Sequence, residues 1–197
     1  MPFLTAIKYS DPLKKYIEKT YQSAKANLAT AMALRSIELL QKYGIACYVA
    51  PQSWMFLKGY RHFRHKLMTE HSIAMVARLG EQGFQSAQSN GEQVALNIIH
   101  KRRLAESDFF LGIDVSDEKD VAQKSTGIIH NELNRIEILE QLSKPQHIIS
   151  FSRSADAKSL AEYASALRGC GTGDAPSFVR NYWEVQCFGS NWTFHQT

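Results

Sequence analysis

Apolar residues recur along the chain at two spacings, one helical and one strand-like, and the two alternate. Asp11 before Pro12 marks a helix start, because the carboxylate accepts from open amides and proline's fixed φ suits the first turn. A helix over about 11–20 follows. Between Ala24 and Lys42 the alanines, with Leu28, Met32, Leu34, Ile37, Leu39 and Leu40, distribute around most of a helical circumference, so this helix is expected to be buried on more than one side. Gly44 stands where a left-handed cap would end it. Residues 45–50 are continuously apolar between Gly44 and Pro51, the pattern of a strand covered on both faces in a parallel sheet, with Cys47 inside it as a buried small hydrophobe.

The stretch 55–69 places Leu57, Tyr60, Phe63, Arg64 and Leu67 at helical spacing, and 73–79 reads as the next strand. Residues 80–91, rich in Gly, Gln, Ser and Asn, form a loop before a further strand over 93–100. A loop of about a dozen residues has no room for a crossover helix, so these two strands are expected to pair antiparallel at the end of an otherwise parallel sheet. Further on the pattern predicts a strand over 109–115 and a short charged helix over 117–124. A helix over 131–142 carrying Ile136, Leu139 and Leu142, a short strand over 148–151 and a helix over 158–167 complete it. The fold class is α/β with a mixed sheet, followed by an irregular α+β region.

Composition narrows the class without naming a chemistry. The 197 residues are 44% hydrophobic and 21% charged, ordinary for a globular chain, with no apolar run approaching a bilayer span. Three separated cysteines, Cys47, Cys170 and Cys187, give neither a disulfide framework nor a zinc knuckle, and a reducing cytoplasm is the expected compartment. The formal charge of +4 permits an anionic partner. Its distribution says more: Lys58, Arg61, His62, Arg64, His65 and Lys66 fall in one short segment, and Lys101, Arg102 and Arg103 in another.

Several candidate chemistries fail on their surroundings. His62, His65 and His71 sit among cations that repel a divalent metal, so no metal is expected. The glycines of 169–174 lack a P-loop ending and a dinucleotide-binding spacing. Ser53 has no nucleophile-elbow glycines to serve a triad with His62 or His100 and Asp114. Aromatics near cations remain: Trp54, Phe56, Tyr60 and Phe63, then Phe178, Tyr182, Trp183, Trp192 and Phe194. They suit either packing or base stacking.

Three blocks carry a resemblance. Pro51-Gln52-Ser53-Trp54-Met55-Phe56-Leu57, after a strand and before a basic helix, resembles the block that follows the catalytic motif in adenine-specific (N6) DNA methyltransferases of the BREX and fused restriction-modification type. Leu79-Gly80-Glu81-Gln82-Gly83-Phe84, followed by Asn90-Gly91-Glu92-Gln93-Val94-Ala95, resembles the family's strand, glycine-aromatic loop and returning strand. Gly171-Thr172-Gly173-Asp174, with Phe178-Val179-Arg180 and Tyr182-Trp183-Glu184-Val185, is similar to its junction into the target-recognition region. Met1-Pro2-Phe3 stands where the family has Asn-Pro-Pro-Phe, with Pro2 and Phe3 matching and the Asn absent.

The resemblance implies the latter strands of a Rossmann-like methyltransferase sheet. It divides the chain into the second half of a catalytic domain over 1–104, a connecting region over 105–150 and the start of target recognition over 151–197. In the intact family enzyme, S-adenosyl-L-methionine donates its methyl group to an adenine flipped out of double-stranded DNA. Pro2 and Phe3 would be the remnant of the catalytic motif and Phe84 the second face for the base. Lys58, Arg61, Arg64, Lys101, Arg102, Arg103 and Arg180 would face DNA. The cofactor site lies on strands ahead of this stretch, so the chain alone is expected to hold no S-adenosyl-L-methionine. It would be inactive unless an upstream methyltransferase polypeptide supplies the missing half. The competing expectation is a non-catalytic DNA-binding remnant or regulator.

Overall fold

The computed structural model describes residues 1–84, 91–102, 108–151, 162–165, 175–187 and 189. Arg103, most of the helix expected over 158–167, the glycine-rich 169–174, Trp192 and Phe194 lie outside the described residues.

The chain separates into two units, Met1–Arg153 and Ser154–Thr197. In the first, α1 (Asp11–Thr20) and α2 (Leu28–Leu39) precede β1 (Ile45–Pro51), then α3 (Arg61–Glu70), β2 (Ser72–Gly80) and β3 (Val94–His100). After these come β4 (Phe109–Asp114), α4 (Val121–His130), β5 (Asn134–Glu137) and α5 (Ile138–Ser143). The five strands form one sheet in the order β1-β3-β2-β4-β5. β3 runs antiparallel to both β1 and β2, while β2 and β4 are parallel. β1, β2 and β4 therefore point the same way and deliver their carboxyl ends to one edge. The sheet is mixed, as the short loop required, but the returning strand β3 lies between β1 and β2 and not at the end, where β5 pairs antiparallel with β4.

β1 is an edge strand that, among the described residues, pairs only with β3 and buries one face, which corrects the expectation that both its faces are covered. Ile45 is 51% exposed and Cys47 is exposed, so only alternate residues (Ala46, Tyr48, Ala50) enter the core. Cys47 is a surface thiol. The helix before it is shorter than expected because the Asn27 side chain accepts from the Ala29 amide and caps α2 there. Its buried residues are the small Ala29, Thr30, Ala31 and Ala33 with Leu34 and Ile37, which let it lie close against β1. The left-handed residue after α2 is Tyr43 (φ 67°) and not Gly44.

The core fills the space between the helices and the sheet with Trp54, Phe63, Leu67, Met68, Ile73 and Ile99, all fully buried. Trp54 and Phe63 meet edge to face at 5.7 Å. Two later expectations are corrected. The helix expected over 117–124 begins at 121, where the Asp120 carboxylate caps the Gln123 amide. The helix expected over 131–142 is split: residues 134–137 pair antiparallel with β4 as β5, and only 138–143 are helical. Sheet pairing there outweighs a periodicity that Ile136 shared by coincidence, and Arg135 adds a cation–π contact on Phe109 at 3.9 Å. No strand forms over 148–151.

In the second unit the described residues include α6 (Ala175–Phe178) and a 3₁₀ turn at Tyr182–Glu184. The Asn181 amide donates to the Glu184 carboxylate in a capping box. The Tyr182 and Trp183 rings touch edge to face at 4.9 Å, and both are exposed.

Candidate functional site

Ligand sites in α/β sheets collect beyond the carboxyl ends of the parallel strands, where loops diverge and strand ladders end. Here that edge carries two phenylalanines from opposite ends of the described segment. Phe3 is held there because its neighbours are tied into the fold: Leu28 N donates to Leu4 O at 2.8 Å and Ala6 N to Ala26 O at 3.1 Å. Its ring rests on the buried cluster of Leu79, Val94 and Val115. Phe84, on the connection from β2 to β3, reaches it with ring centroids 6.4 Å apart and planes tilted by 54°. Phe84 stays 36% exposed and Pro2 is exposed. A flat ring inserted between two aromatics needs parallel rings with centroids roughly 7 Å apart, twice an ordinary stacking distance, so the separation is nearly in place while the 54° tilt must be turned out.

Glycines set the stem of this connection. Gly80 has φ +68°, and a Cβ there would meet Ser116 at 2.8 Å. At Gly83 a Cβ would meet Val94 at 2.5 Å. Both allow the chain to turn tightly over the sheet edge and present Phe84.

A chain of polar side chains crosses the same edge. Gln93 Nε2 donates to Glu81 Oε1 (3.2 Å), Gln52 Nε2 to Gln93 Oε1 (2.7 Å), Arg78 Nε to Gln52 Oε1 (3.4 Å) and an Arg78 terminal nitrogen to Asp114 Oδ2 (3.0 Å). Asp114 Oδ1 accepts from the Ser116 amide at 2.9 Å. Nearby, the buried Lys124 amine donates to the carbonyls of Leu79, Val115 and Glu118 at 2.7, 3.1 and 2.6 Å. The sequence offered no signal for this network, since its members come from two strands, the connections flanking the strand ends and a helix, with no common spacing. Only the strand ends as a class pointed to it.

The basic residues divide by position. α3 runs back from the end of β1 to the start of β2, so its amino end, with exposed Lys58 and Arg61, lies at the edge that holds the phenylalanines. Arg64 does not share that surface, which corrects its reading as a DNA-facing residue. It is fully buried and donates to the carbonyls of Trp54, Leu57, Gln146 and His147 at 2.7–3.0 Å. Desolvation lowers its pKa to about 10, so it remains charged at neutral pH. Four carbonyl dipoles stand in for water, and a phosphate has no approach.

Lys101 and Arg102 follow β3 and lie at the opposite, amino edge, about 20 Å from the phenylalanine pair by the length of a seven-residue strand. Lys101 Nζ donates to the carbonyls of Glu38 and Leu40 at 2.7 Å each, closing the end of α2. Arg102 grips both oxygens of Asp108 at 3.0 and 3.2 Å. One groove therefore cannot hold a base at Phe84 and its own phosphates at Arg102. Arg180, in the second unit, is exposed and donates to the Val179 carbonyl at 2.9 Å. Among the described residues no three His, Cys, Asp or Glu side chains converge as metal ligands, and no helix is long and apolar enough to cross a membrane.

The family model of the Eco57I restriction-modification methylase matches residues 2–84. The adenine-specific methyltransferase PglX of Lacticaseibacillus casei (strain Zhang) is 25% identical over 95% of this chain and 17% of its own length. The adenine-specific methyltransferase BrxX of Escherichia coli O9:H4 (strain HS) is 29% identical over 47% of this chain and 8% of its own. Among solved structures, a nuclease-deletion mutant of the Type ISP restriction-modification enzyme LlaGI, in complex with a DNA substrate mimic, superposes with a TM-score of 0.52 and 14% identity. That match covers 71% of this chain and 15% of the enzyme, and it is a likeness of fold. The chain thus spans less than a fifth of the length of each of these relatives.

Proposed function

We propose, proceeding from the chain's place among the adenine-specific methyltransferases of restriction-modification and BREX systems, that these residues form the base-gripping side of a DNA adenine-N6 methyltransferase. The observation that carries this reading is the meeting of Phe3 and Phe84 at the carboxyl edge of the sheet.

An adenine leaving the duplex loses its stacking and must regain it in the pocket that receives it. Phe3 and Phe84 offer two π faces for that purpose. The Gly80 and Gly83 stem and the Gln52–Gln93–Glu81 hydrogen bonds keep Phe84 over the site. Pro2, beside Phe3, presents a backbone carbonyl that can accept from the adenine amino group and fix its orientation for transfer. Lys58 and Arg61 contact phosphates next to the flipped nucleotide, which positions the duplex without reading its sequence. Arg180 belongs to a target-recognition region beginning near residue 151.

S-adenosyl-L-methionine supplies the methyl group when it is bound. In this reading its pocket is built by other residues than these 197, and the chain methylates DNA only together with them. The test uses duplex DNA carrying 2-aminopurine at the target position. Binding of the chain should change the probe's fluorescence through insertion between the rings, and Phe84→Ala should remove the change while leaving the fold intact. A signal that is the same for the wild type and Phe84→Ala would overturn the reading. Labelled methyl transfer to DNA by the mixture with a cofactor-holding partner, and none by either alone, would establish the division of labour.

A further inference from the structure

The amino edge of the sheet, away from the phenylalanine pair, contains the second feature that stability alone does not explain. A cleft of about 580 Å³ opens there between the turn after α2, the end of α3 and the end of β3. Its walls are Lys42, Tyr43, Glu70, His71, Lys101 and Arg102. The volume is in the range of small-molecule sites.

Tyr43 is the unusual member. It holds a left-handed backbone (φ 67°) that a bulky L-residue adopts only under strain and that glycine or asparagine tolerates. The turn is locked by reciprocal bonds, Tyr43 N to Lys101 O at 3.0 Å and Lys101 N to Gly44 O at 2.9 Å, so the strain is fixed by the sheet. Nothing is gained in the core, because the ring is 65% exposed. The residue lines the cleft, and the Lys42 ammonium lies over one face of its ring, 5.0 Å from the centroid, which leaves the other face for a base.

The charges around the ring are mostly positive. Glu70 is answered by Lys66 at 3.0 Å and Glu38 by Arg35 at 3.3 Å, which leaves the carboxylates of this region paired. Lys101 cancels the negative end of α2 that would otherwise repel an anion from the cleft. Arg102 is held in place by both carboxylate oxygens of Asp108, and the exposed Lys42 carries its ammonium on a flexible four-carbon stem. An exposed aromatic face, a flexible ammonium and a fixed guanidinium in one cleft match the chemistry of a base joined to a phosphate.

We propose that this cleft is a second site, for a phosphorylated nucleoside, with the base on Tyr43 and the phosphate between Lys42 and Arg102. It lies too far from Phe3 and Phe84 to share a nucleotide with them, and it does not depend on the methyltransferase reading. The ligand is either a free nucleotide or one nucleotide of a strand, since both present the same chemistry.

Calorimetry on the full chain with adenosine 5′-monophosphate, adenosine and inorganic phosphate tests it, and a single-stranded hexanucleotide separates the two sources. The monophosphate should bind about tenfold tighter than adenosine or phosphate alone, and Tyr43→Asn should weaken it by a similar factor through loss of stacking. Because asparagine tolerates the left-handed turn, Tyr43→Asn should unfold at the same temperature as the wild type or higher, so lost binding cannot be blamed on lost structure. Lys42→Ala should also weaken binding, and Phe84→Ala should not. Tighter binding of the hexanucleotide identifies a strand as the occupant, and tighter binding of the monophosphate a free nucleotide. Equal affinity of the monophosphate for wild type and Tyr43→Asn, or no preference for it over inorganic phosphate, would overturn the proposal.

Discussion

Arg61 and Arg64 are three positions apart on one helix and do opposite work. The first points to solvent at the candidate DNA edge; the second ties four backbone carbonyls, including those of Gln146 and His147, whose left-handed conformations (φ 57° and 56°) need an external anchor. Arg64→Ala strips donors from four buried acceptors and should destabilise the fold by at least about 3 kcal/mol in a denaturant titration. Arg61→Ala should change stability by less than about 0.5 kcal/mol. Tyr48 supplies the reverse case. Its buried hydroxyl has no hydrogen-bond partner among the described residues, and burial raises its pKa. Tyr48→Phe should therefore be neutral or stabilise by up to about 1 kcal/mol, which thermal unfolding would read.

His71 links the amino-edge cleft to pH. Desolvation lowers its pKa below 6.5, reinforced by Lys66 and Lys101 and opposed by Glu70. The unfolded chain then binds the proton first, so stability is complete above pH 6.5 and declines as pH falls through the folded pKa. His71→Gln should flatten that part of the acid limb of a stability–pH curve; an unchanged limb would exclude the histidine as its source.

At the level of elements, the helices and strands that carry strong local patterns are in place: α1, β1, β2, β3 and β4 sit within a residue or two of their expected bounds. Failures occurred where a non-local partner overrode the local pattern. Ile136 fits a helical stripe, yet the open edge of β4 recruits residues 134–137 as a strand. Gly44 looked like the cap of α2, yet the bonds to Lys101 that align β1 with β3 force the left-handed turn onto Tyr43. The stem before Phe84 depends equally on tertiary contact. Gly80→Ala combines a positive φ with a Cβ against the Ser116 backbone and should cost about 1–3 kcal/mol. It should also reduce the 2-aminopurine response in proportion to the displacement of Phe84.

For the whole molecule, the decisive fact is which edge of the sheet each charged group occupies. Lys58 and Arg61 share the edge with Phe3 and Phe84, whereas Lys101 and Arg102 lie across the sheet. Reversing Lys58 and Arg61 to Glu should shallow the slope of log affinity for duplex DNA against log salt by about 1.8, the release of two counterions. The double variant Lys58→Ala with Arg61→Ala should do the same without added repulsion, and an unchanged slope would remove this surface from the DNA contact.

The α/β class, the mixed sheet and the resemblance to adenine-specific methyltransferases are legible in the chain alone, because these rest on periodicity, loop length and contiguous blocks. Phe3 and Phe84 were each legible as candidates for the same reason. Their meeting, the burial of Arg64, the exposure of Cys47, the Gln52–Arg78–Asp114 network and the strained Tyr43 were decided only by the tertiary structure. Each depends on which strand β3 lies beside and which helix face meets the core, and those are settled by the packing of residues distant in sequence, which no local spacing encodes.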